Sequence, residues 1–241
     1  MALRSKLSFV LLGVLAPVFG SAIEFVGSDR VMDVMIRQLA RAQAALDSGD
    51  FKTANAYTEA VLMDREERVF LDTSYVGRDT ANNAQVAFKA AMQIWSDSLP
   101  NATNFTFVTS AKEADVVVEF SPQVVSEGLN VAGNIHWWRS LETDASGNPH
   151  ASTRAVIRVR TERPGSSEPM SFELMRHTCA HEIGHLLGLG DSYRTGDLMG
   201  PLDLRAPVCK LSDTELQAMR EMREQATRLR ALAMTTAFVS R

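Results

Sequence analysis

The chain has 241 residues, and its 25 Lys and Arg against 29 Asp and Glu leave a formal net charge of −4. That length suits one ordinary domain with appendages and a sizeable core. The mild acidity excludes the basic footprint of a nucleic-acid-binding protein. Residues 1–22 read as a secretory signal: Arg4 and Lys6 form the positive start, Leu7 to Ala16 the apolar run, and Gly20-Ser-Ala22 a small-residue cleavage site. The apolar run is too short to span a bilayer comfortably and no later stretch is apolar enough. The expectation is a secreted, extracellular, soluble monomer with no membrane attachment after signal removal.

Residues 23–65 form an N-terminal helical segment. Val31, Val34, Met35, Leu39, Ala42 and Leu46 recur at helical spacing, Ser48-Gly-Asp50 breaks the run, and Thr53 to Met63 resumes it. The stretch Ala45-Leu-Asp-Ser-Gly-Asp-Phe-Lys-Thr-Ala-Asn-Ala56 is similar to the turn of a tetratricopeptide hairpin, but one unit cannot make a solenoid. A hairpin packed on the following domain is one reading, and a removable pro-segment is the other.

Residues 66–241 carry the larger domain. Val69 to Tyr75 is a strand candidate; Thr80 to Leu99 is a helix with Val86, Ala87, Ala90, Ile94 and Trp95 on its apolar side, ended by Pro100. Phe105 to Thr109 and Ala114 to Phe120 are the next strands, the second apolar enough to be central. Asn101-Ala-Thr103 and Asn104-Phe-Thr106 are glycosylation acceptors in a eukaryotic secretory route. Asn130 to Arg139 is expected as an edge strand bordering a cleft, followed by a strand from Thr153 to Thr161. Ser212-Asp-Thr-Glu215 is a capping box opening a last helix, Leu216 to about Ala233.

The chemistry concentrates in His181-Glu-Ile-Gly-His185-Leu-Leu-Gly188-Leu-Gly-Asp191. On a helix, His181 and His185 stand one turn apart on the same face, where two imidazoles grip one divalent ion such as zinc. Glu182 is placed beside that ion to take a proton from water. Gly188 permits a sharp exit from the helix, and Asp191 then returns as a third ligand, with Asp197 as its rival. Three protein ligands leave an open, catalytic position. Met175, Cys179, Ile183, Leu186 and Leu187 fall on the opposite arc, which is expected to face the core.

This stretch resembles the zinc signature of the metzincin metallopeptidases, HExxHxxGxxH followed by a Met-turn. Leu198-Met199-Gly200-Pro201 is similar to the matrixin version of that turn, with proline two residues after the methionine. Ala87 through Trp95 to Phe120 resembles the helix and strand series of matrixins, and the likeness extends over about residues 66–232. Asp191 departs from the usual third histidine, as it does in the small bacterial snapalysins.

The resemblance implies an α+β, zincin-like fold: a twisted mixed sheet with an active-site helix, a backing helix and a C-terminal helix, preceded by the short helical hairpin. It implies a secreted zinc endopeptidase holding one catalytic Zn2+, with Glu182 as the base, Met199 as an apolar floor, and a peptide or protein substrate laid along Gly133, Asn134, Ile135, His136 and Trp137. Ca2+ is a further ion that no motif here supports. His136 and His150 lack the family's structural-zinc pattern. The first 65 residues contain no cysteine, so the cysteine-switch latency of matrixins is not available. Cys179 and Cys209, alone in an apparently exported chain, are expected to form a disulfide. The competing class is a catalytically silent, protease-like module that binds peptides or metal.

Overall fold

A computed structural model describes residues 28–100, 104–163 and 165–239 of the chain. The expected signal at 1–22 and the acceptor triplet at 101–103 lie outside the described residues. In chain order the elements are α1 (Asp33–Asp47), α2 (Phe51–Leu62), β1 (Glu67–Asp72), α3 (Arg78–Ser98), β2 (Phe105–Phe107), β3 (Val116–Ser121), β4 (Val124–Ser126), β5 (Leu129–Val131), β6 (Gly133–Thr143), β7 (Pro149–Arg160), α4 (Phe172–Leu187) and α5 (Asp213–Val239). Five strands form one sheet in the order β2-β1-β3-β7-β6, parallel except that β6 runs against β7, while β4 and β5 make a separate hairpin. This is the mixed sheet with helices that the sequence implies.

The sheet order follows from side-chain character. In β3, Val116, Val118 and Phe120 are fully buried, and the strand sits in the middle of the sheet, bonded to β1 and β7. Strand β6 stands at the edge, so its outer backbone groups have no strand partner within the sheet. The expected edge strand from Asn130 is split: Leu129 to Val131 pairs back on β4, and β6 begins only at Gly133.

Helix α3 packs on α4, where Trp95 Nε1 donates to the Ala180 carbonyl at 2.9 Å. Its buried face is Ala84, Ala87, Phe88, Ala91, Ile94 and Trp95. Val86, expected on that face, points outward and is 57% exposed, because Phe88 takes the position that covers the sheet and stacks edge-on with Phe107 at 6.4 Å.

The disulfide expected between Cys179 and Cys209 is not formed. Cys179 is sealed in the core, whereas the Cys209 thiol lies 3.7 Å from the Glu173 carbonyl. The Cys209 thiol thus rests against the first turn of α4, six residues before Cys179 on the same helix. Burial pushes the Cys179 thiol well above its ordinary range.

Helices α1 and α2 form the expected hairpin, with Met35, Leu39 and Ala42 in the same core as the sheet and α4. Polar contacts fasten it at several points. Arg223 of α5 donates to the Leu62 carbonyl at 2.7 Å, and Arg230 reaches Asp64 and the Thr58 hydroxyl. Arg139 on β6 is sealed from water and donates to the carbonyls of Ala60 in α2 and Leu186 in α4. Its guanidinium also lies against Met35 Sδ at 3.3 Å and 5.0 Å from the Trp137 ring centre. Burial lowers its pKa to about 9, with the Glu67 charge opposing the fall. No helix among the described residues is long and apolar enough to cross a membrane.

Glu67, 7% exposed at the start of β1, makes stability depend on pH. Burial raises its pKa from 4.5 to about 7, against a hydrogen bond from Thr153 and with Asp115 adding to the rise. The folded state therefore holds this proton more tightly than the unfolded state. The benefit is present at low pH and is lost as pH rises from about 4.5 to about 7, at most roughly 3 kcal/mol. Urea unfolding of the zinc-free protein at pH 5 and pH 8 should show this decline, and Glu67→Gln should flatten it. Equal slopes for the two proteins would mean that Glu67 titrates normally.

Candidate active site

Helix α4 is set by its ends. The Ser171 hydroxyl accepts from Leu174 N–H at 3.3 Å to open it, and Gly188, at φ +108°, closes it in the left-handed conformation that side-chain-bearing residues rarely adopt. Leu189 N–H then returns to the Gly184 carbonyl at 2.9 Å, turning the chain back across the helix end. Along α4, Met175, Cys179, Ile183, Leu186 and Leu187 are buried, which leaves His181 and His185 to face the cleft.

The turn brings Asp191 Oδ1 to 3.3 Å from His181 Nε2 and 3.4 Å from His185 Nε2. Their other ring nitrogens bond to backbone carbonyls: His181 Nδ1 to Leu198 at 3.1 Å and His185 Nδ1 to Leu189 at 2.8 Å. With Nδ1–H donating to those carbonyls, each Nε2 carries a lone pair directed at the same point. Among the described residues this is the group of three ligand-type side chains whose donor atoms converge, all within 4.8 Å of one another. Contacts of about 3.3–3.4 Å match the edge of a tetrahedron whose arms are about 2.0–2.1 Å, the bond length of zinc to nitrogen and oxygen donors. The donor set therefore fits a zinc ion. Asp197 is turned elsewhere, accepting from Arg30 and Ser192.

The electrostatics are those of a shared site. When Nε2 is protonated, His181 and His185 donate to the Asp191 carboxyl and hold it well below its usual range. Burial opposes charge on His185, but Asp191 and Glu182 more than offset it and raise its pKa. Glu182 is 4% exposed, and burial pushes its carboxyl upward against the pull of the two histidines. A Cβ at Gly133 would meet Glu182 Oε1 at 2.7 Å, so the glycine at the start of β6 leaves room for the carboxylate.

His181, Glu182 and Asp191 border a cleft of about 430 Å³ whose walls also include Gly133, His177, Met199, Pro201 and Leu202. Of the five residues expected along the substrate strand, Gly133 lines it; Asn134, Ile135, His136 and Trp137 continue along β6 away from it, and His136 is exposed. Tyr193 is 99% exposed at the cleft's rim. Met199 lies buried under α4, so close that a Cβ at Gly184 would collide with its Sδ.

The chain between residues 70 and 223 matches the matrixin family model. The chain belongs to the matrixin family. Over 122 residues this matrixin is 29% identical to Metalloendoproteinase 1-MMP of Arabidopsis thaliana, a stretch equal to 51% of this chain and 32% of that protein. It thus spans less than two thirds of that relative's length. Matrixins are zinc-dependent metallopeptidases, in keeping with the donor set. Helices α1 and α2 fall outside the family match.

One residue of this matrixin does more than sequence reasoning assigned to it. Glu215 does cap α5, accepting from Ser212 N–H at 2.7 Å and its hydroxyl at 2.8 Å. The same carboxylate, 1% exposed, accepts from the N–H groups of Met199 at 2.7 Å and Leu198 at 3.2 Å. It thereby ties the turn under the histidines to the last helix. No local pattern announces the second pair of bonds, since they span sixteen and seventeen residues. Glu215→Ala leaves those two N–H groups buried without partners and is expected to cost about 3 kcal/mol in chemical unfolding. A loss of only about 1 kcal/mol would show that the capping bond alone matters.

Proposed function

We propose that this matrixin is a secreted zinc endopeptidase in which His181, His185 and Asp191 hold the ion and Glu182 moves the proton. The observation that carries the reading is the convergence of two imidazole Nε2 atoms and one carboxylate oxygen beside a buried glutamate in an open cleft. A bound zinc ion supplies Lewis acidity, acidifying water and polarising a carbonyl.

Glu182 takes the proton of the attacking water on its carboxylate and returns it to the departing amine. Burial suits it to both halves, because a raised pKa brings its two protonation states closer in energy near neutral pH. The carbonyls of Leu198 and Leu189 hold the imidazole rings in place, and Met199 and Gly184 keep α4 and the turn below it in contact. The free edge of β6 takes an extended peptide as an added strand, whose chain then runs past Gly133 toward Glu182. Met199, Pro201 and Leu202 give the cleft an apolar wall for one substrate side chain.

Incubation with a quenched peptide library tests the reading. Cleavage that a chelator abolishes and added zinc restores is expected, with mass spectrometry locating internal peptide bonds. Zinc binding without turnover would instead identify a silent binding module. Secretion is tested separately by the mature N-terminus of the exported protein, expected just after residue 22.

A further inference from the structure

The loop that delivers Asp191 is held from the opposite end of the chain. Val31 and Leu189 form an antiparallel bridge. On either side of it, Met32 N–H donates to the Gly188 carbonyl at 2.9 Å and Gly190 N–H to the Arg30 carbonyl at 2.8 Å. Residues 30–32 therefore add a short strand to residues 188–190, directly before Asp191.

The Arg30 side chain continues the same contact. Its Nη1 donates to Ser192 Oγ at 2.5 Å and to Asp197 Oδ2 at 3.1 Å. Ser192 Oγ–H donates to the same Asp197 oxygen at 2.6 Å, and Arg194 N–H donates to Ser192 Oγ at 3.1 Å. Ser192 N–H reaches the Met199 carbonyl at 2.7 Å. Ser192, the neighbour of Asp191, is thus locked through its backbone to the Met-turn and through its hydroxyl to Arg30 and Asp197. Ser192 and Asp197 are both about 95% buried, so the network is shielded from water. Beneath the turn, Met35 of α1 fills the space at Gly188, where a Cβ would meet its Cγ at 2.7 Å.

We propose that Arg30 is a positioning residue for Asp191, and that the N-terminal strap it belongs to is a permanent part of the metal site rather than a removable pro-segment. This rests on the proposed zinc ligation by Asp191. The physical reason is that Asp191 is the one member of the triad carried by a loop: its side chain is 74% exposed, whereas both histidines stand on a helix. A carboxylate on an unsupported loop must be ordered by the ion at an entropic cost; the strap orders it beforehand. Groups that orient metal ligands typically contribute 10- to 100-fold to metal affinity.

The test uses the full chain and zinc alone, with affinity read by competition against a calibrated chelator and folding by near-ultraviolet circular dichroism. Arg30→Ala should bind zinc 10- to 100-fold more weakly, and Arg30→Lys, which keeps a donor, should recover part of the loss. Arg37→Ala, which removes an exposed arginine on α1, should match the wild type. Because Arg30→Ala leaves the Asp197 charge buried and unpaired, the double variant Arg30→Ala/Asp197→Asn separates stability from positioning. It should regain unfolding stability in the zinc-free form while zinc affinity stays low. Wild-type affinity in Arg30→Ala overturns the proposal, as does recovery of both quantities in the double variant. If Asp191→Ala itself binds zinc as tightly as wild type, the ligand assignment has failed, and that result is distinguishable from failure of the strap.

Discussion

Glu182→Ala is expected to lower kcat/KM on a quenched peptide by roughly 10³-fold, the usual contribution of a positioned acid–base group, while zinc content stays at the wild-type level. Glu182 makes no part of the converging triad, so its removal takes away proton transfer and leaves the donors in place. The fold should survive, since the carboxyl has no hydrogen-bonding role in the packing of α4, and losing a buried group that ionises against its desolvation relieves a cost. Glu182→Gln keeps the shape and removes the proton acceptor, so it should be as inactive as the alanine variant. Turnover within tenfold of wild type in either protein would remove Glu182 from the chemistry.

Asp191→Ala is expected to weaken zinc binding by about 10²- to 10³-fold. Four-ligand sites in small zinc domains are worth about 10–16 kcal/mol in all, so one ligand contributes roughly 2.5–4 kcal/mol. Asp191→His should retain zinc, because an imidazole offers one donor nitrogen from the same loop. Asp197→Ala provides the comparison: it breaks the Arg30 and Ser192 contacts but removes no atom near the imidazoles. Zinc content after dialysis against a mild chelator reads all three proteins. Metal lost from Asp197→Ala and kept by Asp191→Ala would reverse the assignment.

What was legible in the sequence was what local spacing encodes. A spacing of four between His181 and His185 places two rings on one helical face, and glycine at 188 marks the turn that sends Asp191 back. The nearly continuous apolar run from Ala114 to Phe120 identified β3 as central, because a strand covered on both faces needs apolar residues on both. Less legible was anything decided by contacts between distant segments. Arg139 reads as an ordinary charged residue of an edge strand, yet it is buried because two carbonyls from different helices converge on it. The two cysteines suggested a bridge by number alone, and only the geometry of α4 shows them facing different surroundings. Arg30 and Glu215 escaped for the same reason: nothing adjacent to either residue records the loops that they hold.

The strap also has a bearing on the order in which the molecule comes into being. Arg30 and Asp197 meet at a sequence separation of 167, and Arg230 and Asp64 at 166. Contacts of that separation are late events, since the entropy of closing so long a loop must be met before the contact returns any energy. During synthesis the helical hairpin is made before the segments that it packs against. The nascent chain therefore carries both histidines before the loop beside them is secured, and the coordination site becomes whole only when residues 30–32 have met residues 188–197.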